Sequence, residues 1–211
     1  MINKNKLRLT ISVLGVIAIV SYLTHVVVGR FMNSDYHWLS QAISDLTADQ
    51  ANGVMYTRFF SYVYGFLSFI TLWCIVYLYK AKTHKLLYIG LILFASMLTV
   101  SAIGYALFPL SESGYIGNFQ NVMHMIVTGL VVLSTIASLI FMILGYKKIG
   151  DRKGLYISIL TLFTLIVSGG LMGLINPAYF GLIERFSVYS VIFYFGYILY
   201  DFIIRGKESV F

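Results

Sequence analysis

Between Lys85 and Glu112, and again between Lys153 and Glu184, this chain carries no Asp, Glu, Lys or Arg. As an α-helix, each run is long enough to cross a hydrocarbon core of roughly 30 Å, which takes about 20 apolar residues. Buried helices of a soluble domain need amphipathic neighbours to cover them, and this chain has too few charges to supply any. Of its 211 residues, 11% are charged and 59% apolar, against about 25% charged in ordinary soluble proteins. The runs do not alternate with a period of two, so they are not strands of a membrane barrel. Lipid is the solvent that fits.

Six segments qualify as spans, at about 8–30, 56–80, 86–108, 119–146, 155–176 and 183–204. They predict an all-α polytopic membrane protein with one transmembrane domain over 1–211. Lys4, Lys6 and Arg8 precede the first span as in a signal peptide. The uncharged stretch from Leu9 to Gly29 is too long for a typical signal core, so it reads as a retained helix. Pro109 and Pro177 each fall just past an apolar run, where a helix should stop. The single cysteine, Cys74, excludes an intrachain disulfide.

The net charge of +7 does not indicate nucleic acid, because the basic residues flank the spans. With the N-terminus inside, twelve of the fifteen basic residues lie on inner segments: Lys4, Lys6, Arg8, Lys80, Lys82, Lys85, Lys147, Lys148, Arg152, Lys153, Arg205 and Lys207. Outer segments hold Arg30, Arg58 and Arg185. This positive-inside bias predicts a cell-membrane protein with both termini cytoplasmic.

The long outer loop from Arg30 to about Met55 predicts an amphipathic helix over 35–48, lying at the interface. At 100° per residue, Trp38, Leu39, Ala42, Ile43 and Leu46 share one face. His37, Ser40, Gln41 and Ser44 share the other, with Asp45 at its edge. Asn33, Ser34 or Asp35 can cap its start, and Asn52-Gly53 can end the segment. Near the end of span five, Gly169-Gly170-Leu171-Met172-Gly173 has the small-residue spacing that allows close helix contact.

Three landmarks carry a resemblance: the run Trp38-Leu-Ser-Gln-Ala-Ile-Ser-Asp-Leu-Thr-Ala48, the pair Phe108-Pro109 followed by His124, and Gly181-Leu-Ile-Glu-Arg185. Together they resemble the family known as domain of unknown function 998. The resemblance covers nearly the whole chain. It implies a small multi-span bundle and brings no catalytic residues with it.

No ionisable acid or base sits near the middle of a span, which argues against a proton-coupled carrier. Those that topology leaves unexplained gather at the outer face: His25, His37 and His124, Asp35, Asp45, Asp49, Glu112 and Glu184, and the three arginines. His124, Asp45 and His37 are the candidates for acid–base work or metal ligation. There is no HExxH and no histidine pair at i, i+4 spacing, so no metal or other cofactor is expected. Ser44-Asp45 lacks the Gly-x-Ser-x-Gly elbow, and Ser111-Glu112-Ser113-Gly114 reads as an exposed turn. Arginine offers a planar fork for phosphate or carboxylate. Arg58, Arg185 and Arg30, with Gln41, Ser44, Asn121 and Glu184, therefore form a candidate headgroup site. The same arginines can equally pair with Asp35, Asp45 and Glu184. The expected function is an outward-facing polar pocket that binds or processes an anionic lipid or lipid-linked substrate. The alternative is a non-enzymatic accessory or assembly subunit of another membrane protein. Membrane lipids, and a possible membrane-protein partner, are the expected partners.

Overall fold

The computed structural model describes residues 4–80, 82–113 and 117–207, and side chains for 5–80, 82–113 and 117–204. Gly114 and the side chains of Lys4, Arg205 and Lys207, all used in the sequence reading, lie outside the described residues. The chain forms six long α-helices: α1 (Lys4–Met32), α2 (Val54–Tyr79), α3 (Lys85–Leu107), α4 (Phe119–Ile149), α5 (Arg152–Met172) and α6 (Phe180–Lys207). All six are long and apolar enough to cross a membrane. At about 1.5 Å per residue, even α5, with 21 residues, reaches roughly 30 Å. Only 22–39% of the most apolar stretch of each span is buried within the protein. The exposed remainder is apolar, as a lipid-facing surface must be.

Local chemistry sets the helix ends. Asn118 accepts the Asn121 N–H at 2.8 Å and caps α4, and Asp151 accepts the Gly154 N–H at 3.0 Å and caps α5. Gly150 ends α4 in the left-handed region at φ 76°, where a side chain would be strained. Pro109 follows the end of α3, and Pro177 opens a short 3-10 turn, Pro177–Tyr179, ahead of α6.

The helices close a ring in chain order. Each packs on its sequence neighbours, and α6 packs back on α1. The core includes Phe94, Tyr146, Tyr194, Phe195 and Phe202, each at most 2% exposed. Tyr194 ties three helices there, meeting Ser158 Oγ of α5 at 2.7 Å and donating to Met142 Sδ of α4 at 2.8 Å.

The close helix contact lies elsewhere than the glycine pattern predicts. A Cβ added to Gly169, Gly170 or Gly173 would meet nothing within 4 Å, so that face of α5 is open. Spacing alone does not say which face a stripe presents. The tight contact is α3 against α4: a Cβ on Gly145 would sit 2.6 Å from the Leu87 backbone nitrogen, and one on Gly90 3.0 Å from the Met142 nitrogen. Backbone cannot step aside as a side chain can. Gly145→Ala is therefore expected to cost about 1–3 kcal/mol by overpacking, which lowers the unfolding temperature in detergent by roughly 5 °C. Gly169→Ala should leave it unchanged.

Candidate functional site

At the end of the bundle where α1 finishes and α2 begins, the connection does not form the amphipathic helix expected over 35–48. Residues 34–41 run through turns, and one 3-10 helix, Ile43–Thr47, follows. The reason is that the backbone groups an α-helix would pair internally are claimed by distant partners. The Leu39 carbonyl accepts the Leu182 N–H at 3.0 Å. The Ile43 N–H donates to Glu184 Oε2 at 2.7 Å. The Leu46 carbonyl accepts Thr57 Oγ1 at 2.8 Å, and the Thr47 carbonyl accepts Arg58 Nε and Nη2 at 3.0 and 2.8 Å. Such pairing is what irregular backbone near lipid requires. Ala42, Ile43 and Leu46 turn inward, each at most 4% exposed, whereas Trp38 and Leu39 stay open at 46% and 38%.

The loop is seated by the first turns of α6. Arg185, 7% exposed, directs Nη1 at the carbonyls of Trp38 (2.7 Å), Gln41 (3.2 Å) and its own Gly181 (2.6 Å). Its Nη2 donates to Tyr36 Oη, and that hydroxyl donates onward to the Ala42 carbonyl at 2.8 Å. Gly181 makes the approach possible. A Cβ there would lie 2.7 Å from the Trp38 oxygen and closer still to that of Gln41. The two sequence landmarks around Trp38–Ala48 and Gly181–Arg185 are thus two halves of one contact. Tyr36 is the participant the residue patterns missed. A lone Tyr before a polar loop has no periodicity to mark it.

The ion pairs differ from the simple matching of signs. Arg58 Nη2 lies 2.6 Å from Asp49 Oδ1. Arg185 meets neutral oxygens instead. Burial raises the Tyr36 phenol above its ordinary pKa despite the adjacent Arg185 charge, so Tyr36 stays neutral. Arg30 is exposed, and donates to the Asn33 carbonyl at 3.4 Å.

Arg30 and Arg185 both line a pocket of about 340 Å³. Its walls are Val26, Val27 and Phe31 of α1, Tyr36 and Trp38 of the loop, and Tyr189 of α6. No carboxylate is part of this lining.

The remaining candidates do not line this pocket. Gln41 uses Oε1 to accept the His37 N–H at 2.6 Å and Nε2 to reach Ser113 Oγ at 3.2 Å. Ser44 is half-buried in the 3-10 turn. Asn121, 1% exposed, accepts from Ser111 N–H at 2.9 Å, while its Nδ2 has no hydrogen-bond partner. His124 is buried, with Nδ1 2.8 Å from the Phe108 carbonyl. A carbonyl only accepts, so Nδ1 carries the hydrogen there. His25 is held the same way, 2.7 Å from the Tyr22 carbonyl. His37 and Asp35 are exposed, and Glu112 is half-buried. Ser111 is half-buried too, so the turn 111–113 is less open than its composition suggests. His37, Asp45 and His124 share no hydrogen bond, and no cluster of three metal-ligating side chains occurs among the described residues.

Asp45 is 6% exposed, with Oδ2 accepting the Ala42 N–H at 2.9 Å and Oδ1 unpartnered. Burial pushes its carboxyl above the ordinary range, against the pull of the Ala42 N–H, the nearby Ser113 hydroxyl and the Arg185 charge. A folded-state value above the unfolded one makes the group's contribution most favourable below about pH 4 and erodes it as pH rises through the folded value. Asp45→Asn keeps an acceptor for Ala42 and carries no charge. The unfolding temperatures of the two proteins should therefore separate, in favour of the variant, as pH is raised from 4 to 7.5.

Fold and site together define a six-helix membrane-bundle protein with a loop latched across one end. A family model described as a protein of unknown function, DUF998, matches residues 16–198, and the chain belongs to that family. No curated protein and no solved structure matches it.

Proposed function

We propose that this end of the bundle faces outward from the cell membrane, with both termini cytoplasmic, and that the Arg30–Arg185 pocket binds the anionic headgroup of a lipid or lipid-linked substrate. The observation that carries this reading is that Arg30 and Arg185 both line one pocket whose lining has no carboxylate. Arg185 is a fixed donor, held on three carbonyls and a phenol. Arg30 is the exposed charge that meets the anion first. The apolar wall of Val26, Val27 and Phe31 suits the acyl part of an amphiphile. Arg58, held by Thr47 and Asp49, does not line this pocket. If this end of the bundle also does chemistry, His124 and Asp45 are our candidates for it.

Native mass spectrometry of the purified protein tests the reading. The wild type should retain an anionic phospholipid. Arg30→Gln removes one charge at the membrane surface, worth about 1 kcal/mol, and should weaken retention about fivefold with no change in unfolding temperature. Equal retention by both proteins would count against it.

A second reading, an accessory subunit that binds another membrane protein, draws on the open glycine face of α5. Small exposed residues let a foreign helix approach closely. It predicts that Gly173→Leu abolishes co-purification of a partner while Arg30→Gln does not.

A further inference from the structure

The pocket's size and walls say more about its ligand than its charge does. A volume of about 340 Å³ holds about eleven water-sized volumes at roughly 30 Å³ each. Glycerol phosphate has about ten non-hydrogen atoms, whereas one two-chain lipid or a sugar carrier is several times larger. A headgroup and its first carbons match this volume, and the chains of a two-chain lipid extend beyond it.

The walls show where. Val27 and Phe31 are 54% and 84% exposed on a membrane-spanning helix. One turn of α1, about 5.4 Å, separates Val26 and Val27 from Arg30. The charged rim therefore sits above an apolar side that is open to lipid, in the order of charge and carbon found in a phospholipid. A cationic headgroup such as choline would have to sit beside Arg30 with no carboxylate in the lining to meet it. The face of Tyr36 is already taken, because the Arg185 guanidinium lies over it at 5.7 Å from the ring centroid.

Resting on the anion-binding reading above, we infer that the ligand is a glycerophospholipid with a single phosphate and a small uncharged headgroup. It enters sideways from the bilayer between α1 and α6, and its phosphate lies between Arg30 and Arg185.

The test is native mass spectrometry of the full chain in detergent. The probes are phosphatidylglycerol and phosphatidylcholine of equal chain length, with glycerol phosphate and inorganic phosphate as soluble competitors. Val27→Trp narrows the lipid-facing side and leaves both arginines intact. The expected results are phosphatidylglycerol retained at least tenfold better than phosphatidylcholine, no displacement by millimolar glycerol phosphate or phosphate, and about tenfold lower occupancy in Val27→Trp. Displacement by the soluble anions, or full occupancy in Val27→Trp, overturns sideways entry and leaves an anion site. Equal retention of the two lipids overturns the headgroup assignment. Retention of neither lipid overturns the anion-binding reading itself. The competition arm uses the wild-type protein, so it decides the matter even if the variant misfolds.

Discussion

Arg185→Leu should be the most damaging single substitution at this end of the molecule. It removes the donor shared by the Trp38, Gln41 and Gly181 carbonyls and by the Tyr36 hydroxyl. An unsatisfied buried polar group costs about 1–3 kcal/mol. The loop can lift to recover some of those bonds from water, so the expected net loss is about 3–5 kcal/mol, comparable to breaking a buried charged network. In detergent this corresponds to an unfolding temperature lower by roughly 10 °C. Hydrogen exchange at the Ile43 and Leu182 amides, which bridge loop and helix, should rise by an order of magnitude or more. Arg185→Lys should recover only part of the loss, since one ammonium cannot span the carbonyls and the phenol as the planar fork does. Full stability of Arg185→Leu would mean that the arginine does not hold the loop.

Gly181→Val should produce the second-largest effect, by a different route. No bond is removed. A side chain is placed where the Trp38 and Gln41 carbonyls already lie. Those atoms are backbone of a loop that is itself pinned, through Thr57 and Arg58, on its other side. The loop must leave α6 or the helix must shift, at a cost of about 3 kcal/mol or more, at the upper end of overpacking penalties. Because the loop carries Tyr36 and Trp38, the pocket loses a wall, and lipid retention should fall together with stability. Gly173→Val, on the open face of α5, is the matched control and should change neither.

The spans were legible because charge is absent over such lengths that only a bilayer accommodates them, as between Lys85 and Glu112. Helix ends were legible at Pro109 and Pro177, each just past an apolar run. The loop was not. Its apolar spacing from Trp38 to Leu46 fits a helix, but that period registers only local preference. Arg185, Glu184, Thr57 and Arg58, far away in sequence or on the next helix, take the backbone groups a helix would use. The site was half legible for the same reason. Gathering Arg30, Arg185, Glu184, Gln41 and Asp45 at one end follows from topology. Which arginine meets a carboxylate does not, because matching signs ignores backbone oxygens as partners. Arg58 found Asp49, while Arg185 found three carbonyls.

A cryo-EM map of the protein in nanodiscs containing phosphatidylglycerol tests the central claim most directly. The account predicts density for a phosphate between Arg30 and Arg185, with an acyl tail leaving past Val26 and Val27 into the bilayer. A well-ordered loop over an empty pocket, with anionic lipid resolved elsewhere on the bundle, would contradict it.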